Sequence, residues 1–283
     1  MSTRPILLIH GGAGSRPSSG KKWRILYESL EHILRDAYAL LESGATAEAA
    51  VVRAVQLLED DELYNAGRGS KIQSDGKIRM SASLMDGERQ RFSGVVNVEG
   101  VKNPVLLAKR LATFESKVLS GAGAKKFARE NGFEFASPYT EKAWAAFNKK
   151  KRGKSGTVGA VALDKKGRLA AATSTGGRGY EYPFRVSDSP TVAGNYSNRV
   201  CAVSATGTGE HIVDFAAAAR ICTLVEAGHN FDKVTRKLVA DAKRANAEFG
   251  FIALDRKGHW TGLTSTAHLV WAAAGPDGFK IHP

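Results

Sequence analysis

The chain has 283 residues, a formal charge of +13 and an ordinary globular composition, 43% apolar and 24% charged. No apolar run reaches the roughly eighteen residues of a membrane span, and two cysteines, Cys201 and Cys222, make no disulfide framework and read as buried thiols. The positive charge is spread along the chain and is densest at 149–154, without zinc-ligand spacing or aromatic–basic interleaving, so a solvated linker explains it better than a nucleic-acid groove.

Met-Ser-Thr-Arg-Pro followed by the short apolar run 6–9 does not make a signal-peptide core, which leads us to expect a cytoplasmic address. Residues 5–10 read as a buried strand running into a glycine turn, His10-Gly-Gly-Ala-Gly14. Helical periodicity covers 23–43 and stops at Gly44, and Thr46 caps a second helix over 47–59. A loop over 60–70 is followed by strands near 77–82 and 94–98. Asn103-Pro104 opens a helix with proline at its first position, another helix spans 123–130, and a third spans 140–150.

Beyond residue 157 the pattern changes to a hairpin, 158–163 and 169–173, turning at 164–167. A strand over 200–205, helices over 210–227 and 231–247, a second hairpin over 251–254 and 260–264, and a strand near 269–273 complete the chain. The two hairpins are related: residues 159–175 align without gaps on 250–266, sharing glycine, Ala-Leu-Asp, Lys-Gly and Thr-Ser-Thr. Strands of Ala, Val, Gly and Leu with little polar alternation need cover on both faces. Two packed sheets of largely antiparallel hairpins with helices outside each satisfy that need, an α+β, four-layer αββα sandwich.

Only the first hairpin is preceded by Gly156-Thr157, and a basic stretch over 148–155 leads into it. A threonine inside a chain is a poor nucleophile; one at a chain start carries an α-amine of pKa roughly 7.7–8.0 that can take its hydroxyl proton. The reading is a single domain made as a precursor that cuts itself before Thr157. It would yield an α chain of residues 1–156, ending in a polar and basic linker over 136–156, and a β chain of residues 157–283.

Seven segments carry a resemblance: Ile9-His-Gly-Gly-Ala-Gly14, Asn65-Ala-Gly-Arg-Gly-Ser70, Ala82-Ser-Leu-Met-Asp-Gly87, Gly156-Thr-Val-Gly-Ala-Val-Ala-Leu-Asp164, Ala170-Ala-Ala-Thr-Ser-Thr-Gly-Gly177, Arg185-Val-Ser-Asp-Ser-Pro190 and Ala205-Thr-Gly-Thr-Gly-Glu210. In this order they resemble the plant-type L-asparaginase/isoaspartyl peptidase family of N-terminal-nucleophile hydrolases. The resemblance implies Thr157 as nucleophile, Thr175 as the hydroxyl that orients it, and Asn65 beside the cleavage site Gly156–Thr157. It implies Arg185 and Asp188 as the grip on a substrate's α-carboxylate and α-ammonium. Thr206 and Gly207 would be the oxyanion donors, with Thr208 and Gly209 completing the substrate turn. Phe184 and Ser187 stand where the family has glycines, which bears on the pocket rim.

The implied reaction releases L-aspartate from β-aspartyl peptides, from L-asparagine, or from both, through an ester on Thr157, without a catalytic metal or cofactor. The resemblance also implies a structural sodium ion held by main-chain carbonyls in the loop 58–68, and a dimer of αβ units as the only macromolecular partner. His10 and His268 have no metal-ligand spacing. Two other readings stay open: a glycosylasparaginase-like amidase, and a non-catalytic relative acting as a basic binding module.

Overall fold

The computed structural model describes residues 3–14, 20–150 and 156–282; residues 151–155 of the expected linker lie outside the described residues. Strand β1 (Ile6–Gly14) runs on to Gly14, beyond the end expected at 10, because it takes a bulge between His10 and Gly12 and continues pairing. Helix α1 (Gly20–Glu42) begins before residue 23, and α2 (Ala47–Asp60) is capped by Thr46, whose hydroxyl accepts Ala49 N–H at 3.1 Å. Strands β2 (Met80–Asp86) and β3 (Arg91–Val98) form one tight hairpin, where two separated strands were expected. The Asp86 carboxylate makes that turn by accepting Glu88 N–H at 2.9 Å and Arg89 N–H at 3.0 Å.

The first half ends with α3 (Pro104–Leu111), the short strand β4 (Val118–Ser120), α4 (Gly121–Glu130) and α5 (Glu141–Asn148). The second half contains β5 (Val158–Leu163), β6 (Leu169–Thr175), β7 (Asn195–Ser197) and β8 (Cys201–Gly207). The single helix expected over 210–227 is two, α6 (Gly209–Asp214) and α7 (Ala217–Glu226), because Ala216 takes a left-handed backbone (φ 46°) that no α-helix carries. Helix α8 (Phe231–Arg244), β9 (Phe249–Asp255), β10 (Trp260–Thr264), β11 (His268–Gly275) and an unforeseen edge strand β12 (Gly278–His282) follow.

The strands form two sheets among the described residues, in the orders β12-β11-β1-β5-β6-β2-β3-β4 and β10-β9-β8-β7. The fold is mixed α+β. One apolar cluster joins the larger sheet to α1, α2 and α3 through residues such as Leu34, Val55, Leu84 and Leu107. A second joins the smaller sheet to α7 and α8 through Ile221, Leu238, Phe249 and Phe251. A third contains Leu8, Val161 and Leu163 from the larger sheet with Ala202, Ile252 and Leu254 from the smaller. Cys201 and Cys222 are both buried and free, as composition suggested.

The two related hairpins lie in different sheets, β5–β6 in the larger and β9–β10 in the smaller. Their shared Asp and Gly do the same work. Asp164 Oδ1 accepts Lys166 N–H at 2.9 Å and Arg168 N–H at 3.1 Å, and Asp255 Oδ1 accepts Lys257 N–H at 2.9 Å and His259 N–H at 2.8 Å. Gly167 (φ 73°) and Gly258 (φ 88°) then supply the left-handed residue that closes each turn. The repeat is therefore turn chemistry; of the catalytic candidates, Thr157 lies just ahead of the first copy and Thr175 ends it.

Candidate active site

Thr157 lies just before β5, almost fully buried at 5% exposure, and its hydroxyl donates to Thr175 Oγ1 at 3.1 Å. Thr175 is the last residue of β6, and its oxygen also accepts Gly177 N–H at 3.2 Å. That second donor fixes where the Thr175 oxygen stands, so the Thr157 rotamer has a defined target.

The residues around Gly156 explain why a glycine is needed there. The Gly156 carbonyl accepts Asn65 N–H at 3.3 Å, and a Cβ on Gly156 would come 2.8 Å from Asn65 Cβ. Gly12 (φ 121°) presses from the other side, where a Cβ would meet Gly156 Cα at 2.9 Å. Asn65 therefore meets the expected cleavage site through its backbone. Its side-chain Nδ2 donates to the Gly177 carbonyl at 2.5 Å, and its Oδ1 is buried with no hydrogen-bond partner among the described residues. Gly12 was not singled out by sequence reasoning, although it sits in the quoted glycine turn.

Thr206 ends its strand face fully buried, and its Oγ1 accepts Ala13 N–H at 3.3 Å. An oxygen that accepts there keeps its own hydrogen available for donation. Gly207 follows at φ 145°, and a Cβ would come 2.4 Å from Phe249 Cα, so only glycine lets β8 pass β9 at this point. Thr208 N–H is tied to the Glu248 carbonyl at 2.8 Å, and Gly209 opens α6.

Arg185 and Asp188 are neighbours across Gly209, where a Cβ would meet Asp188 Oδ1 at 2.7 Å and Arg185 Nη2 at 3.0 Å. Arg185 is held by two carboxylates that sequence reasoning did not assign. Glu210 takes Nε and Nη2, both at 2.8 Å, and the buried Glu181 takes Nη1 at 3.0 Å. Those contacts use three of the five guanidinium N–H groups, leaving one on Nη1 and one on Nη2. The Glu210 carboxyl is in turn held down to a pKa of about 2, chiefly by the hydrogen bond from Arg185. Its signal lay in plain view, as the last residue of the Thr-Gly-Thr-Gly-Glu run.

Asp188 is enclosed, and burial raises its carboxyl to about 6 against the hydrogen bond from Ser187 Oγ (3.2 Å), its own backbone N–H and the pull of Arg185. Its Oδ2 is buried without a hydrogen-bond partner among the described residues. A buried carboxylate oxygen left unpaired is costly, and a ligand ammonium would relieve the cost. Ser187 thus gives Asp188 a bond that glycine cannot. Phe184 holds a left-handed backbone (φ 63°), its carbonyl takes Asn97 Nδ2 at 2.9 Å, and its ring stacks 3.9 Å from the Arg79 guanidinium. That contact draws the ring towards Arg79.

Gly67 in the loop 58–68, and Gly69 just beyond it, lie against main-chain oxygens. A Cβ on Gly67 would meet the Glu59 carbonyl oxygen at 2.2 Å, and one on Gly69 would meet those of Tyr64 at 1.8 Å and Glu62 at 2.9 Å. A side chain at either position would push the backbone apart, so both places require glycine. No group of three or more His, Cys, Asp or Glu placed to hold a metal occurs among the described residues. None of their helices is long and apolar enough to cross a membrane.

The sequence profile described as "Asparaginase" matches residues 3–281. The chain is 42% identical over 274 residues to the isoaspartyl peptidase/L-asparaginase of a Synechocystis species, covering 90% of this chain and 83% of that one. It is 43% identical over 299 residues to the protein of the same name from a Nostoc species, with 98% and 93% covered. It is 37% identical over 286 residues to the Rattus norvegicus protein of that name, with 95% and 85% covered.

Proposed function

Since the chain belongs to the asparaginase family, we propose that it is made as a precursor, cuts itself between Gly156 and Thr157, and then uses Thr157 as its nucleophile. The protein is a hydrolase of amide bonds, an isoaspartyl peptidase/L-asparaginase like its relatives. The observation that carries the mechanism is the pairing at one point of the Thr157–Thr175 hydroxyl contact with a Gly156 carbonyl already facing a donor.

In the first step the Thr157 hydroxyl adds to the Gly156 carbonyl carbon. The hydroxyl proton passes to the peptide nitrogen, which leaves as the Thr157 α-amine, and water then hydrolyses the ester to free the Gly156 carboxylate and restore the Thr157 hydroxyl. In the mature enzyme the amine takes the hydroxyl proton while Thr157 Oγ1 adds to the side-chain carbonyl of asparagine or of a β-aspartyl peptide. Thr206 and Gly207 would stabilise the oxyanion; losing one such donor typically costs about 10²–10³ in turnover. The amine returns the proton to the leaving nitrogen, ammonia or a peptide amine departs, and water releases L-aspartate.

Arg185 would offer its two remaining N–H groups to the α-carboxylate, with Glu181 and Glu210 fixing the plane of the fork. Asp188 would take the α-ammonium, with Thr208 and Gly209 forming the intervening turn. The four-layer αββα order belongs to this reading; three apolar clusters, two under helices and one shared by both sheets, support it. So does a single domain in which a cut leaves the halves interlocked, because β5 pairs with β1 and β6 with β2. A sodium ion on the carbonyls of the loop 58–68, a dimer of αβ units and a cytoplasmic address complete the proposal.

Intact mass and N-terminal sequencing of purified protein, with aspartate release from L-asparagine and from β-aspartyl dipeptides, test it. Chains of residues 1–156 and 157–283 with aspartate as product support it. An uncut chain that still releases aspartate overturns the mechanism.

A further inference from the structure

His10 is fully buried between the sheets, and no step above uses it. Its Nε2 lies 2.8 Å from Ser204 Oγ, which lies 2.7 Å from Thr173 Oγ1. Both hydroxyl residues are also fully buried. This polar chain sits in a layer whose neighbours are the apolar side chains of Leu8, Val161 and Ala202.

The positions of its members follow from strand periodicity, in which residues two apart share a face. Thr173 precedes Thr175 by two on β6, and Ser204 precedes Thr206 by two on β8. Gly159 follows Thr157 by two and pairs with His10 across β1 and β5. The network therefore lies one layer beneath the nucleophile, its orienting hydroxyl and the oxyanion threonine. Gly159 makes the space: a Cβ there would come 1.9 Å from Ser204 Oγ and 2.5 Å from His10 Nε2.

The imidazole also faces the Thr157 backbone, which raises its pKa slightly while burial lowers it to about 3. Only an acceptor raises a base, so the facing group is the Thr157 carbonyl, although Nδ1 makes no full hydrogen bond to it. Thr157 has no partner in either strand ladder of β5, whose pairing begins at Val158. After the cut its backbone would also lose the tether to Gly156. With the Nδ1–H tautomer, Nε2 accepts from Ser204 and Ser204 accepts from Thr173, so the chain of donors has one direction.

We propose that His10, Ser204 and Thr173 form a positioning strut that sets the spacing between the sheet bearing Thr157 and Thr175 and the sheet bearing Thr206 and Gly207. The inference rests on the mechanism proposed above. The nucleophile and the oxyanion donors sit on different sheets, so their separation is a sheet-to-sheet distance. A hydrogen-bonded link one layer below fixes that distance more sharply than apolar side chains, which tolerate sliding.

The test uses Ser204→Ala and the near-isosteric Thr173→Val in full-length protein. A misplacement of about 1 Å can cost on the order of 10²-fold in rate, so Ser204→Ala, which removes both inter-sheet bonds, should lose about tenfold or more in kcat with KM within about twofold, and Thr173→Val, which keeps the bond to His10, should lose less. The double variant should fall no further than Ser204→Ala alone, since the serine takes part in both inter-sheet bonds and its loss already removes the one to Thr173. Because a strut acts on geometry, a crystal structure of Ser204→Ala should show a changed separation between Thr157 Oγ1 and Gly207 N. A Ser204→Ala kcat within twofold of wild type, a loss carried by KM, or an unchanged separation overturns the strut. Wild-type protein that neither cuts nor releases aspartate would instead count against the function, and the crystallographic comparison still decides the strut.

Discussion

The backbone N–H of Asn65 donates to the Gly156 carbonyl oxygen at 3.3 Å, so the carbon that Thr157 would attack already has a donor on its oxygen in the uncut chain. A donor placed where negative charge develops lowers the barrier without reorganisation. The Asn65 carbonyl in turn accepts Gly176 N–H at 2.9 Å, which ties this donor to the turn after Thr175. The proposed cut would thus have its own oxyanion contact, separate from Thr206 and Gly207.

Gly156→Ala should slow self-cleavage about tenfold or more, because its Cβ would press on Asn65 Cβ at 2.8 Å and push the carbonyl off its donor. Thr157→Ala should stay as one chain. A time course on denaturing gels reads both, and a Gly156→Ala variant that cuts at the wild-type rate would separate Asn65 from the cleavage step.

Thr175→Val removes the acceptor of the Thr157 hydroxyl and leaves the volume nearly unchanged. The expected outcome is a kcat reduced on the order of 10²-fold with little change in melting temperature, because the loss is one of orientation. Steady-state kinetics beside a thermal melt check it.

Arg185→Ala should raise KM by about 10–100-fold, the equivalent of one or two charge-assisted hydrogen bonds to the substrate carboxylate. Self-cleavage should continue, since Gly156 within the chain has no free α-groups. Glu210→Gln should move KM in the same direction by less, because the fork keeps Glu181. Equal kinetics in all three proteins would place the carboxylate elsewhere.

The Asp188 carboxyl, raised to about 6 from 3.8 by burial, binds an α-ammonium only when ionised. Activity at limiting substrate should therefore fall as pH drops through about 6, and Asp188→Asn should lose both that limb and most of its binding. The linkage has a second face. The native state holds this proton more tightly than the unfolded chain, so ionising Asp188 costs stability as pH rises from 3.8 to about 6. Asp188→Asn should melt higher than wild type at pH 8, a stabilisation gained at the expense of activity.

Glu59 is buried at the base of the loop 58–68, where its Oε1 accepts Val105 N–H at 3.0 Å. Burial raises its carboxyl from 4.5 to about 8, so the folded state keeps a proton that the unfolded chain gives up in that window. Stability should fall as pH rises from 4.5 to about 8, and Glu59→Gln should flatten this slope. Melting temperature against pH for the two proteins measures it.

Much of the site was legible because its chemistry is local in the chain. Gly156-Thr157 is contiguous, Thr175 closes the same hairpin, and Arg185 and Asp188 are three residues apart. The carboxylates Glu181 and Glu210 were missed because an acidic side chain carries no mark of which guanidinium it will meet. Residue 216 was missed as a helix break because alanine favours helix and its left-handed backbone is imposed by the surroundings. Strands β4, β7 and β12 were missed because a short edge strand takes its order from a neighbour, not from its own pattern.

Spacing and residue type by themselves determined the family, the candidate nucleophile and the paired hairpins, because strand period, turn glycines and helix caps are read over a few residues. Tertiary structure alone decided which sheet each hairpin enters, and so that Thr157 and Thr206 come from opposite sheets. It also decided that Asn65 meets the Gly156 carbonyl through its backbone, and that Gly12 and Gly159 are glycines for the sake of Gly156, His10 and Ser204. The reason is that close approach between segments far apart in the chain is a property of the packed sheets, and a glycine or a histidine in sequence does not record what will lie against it.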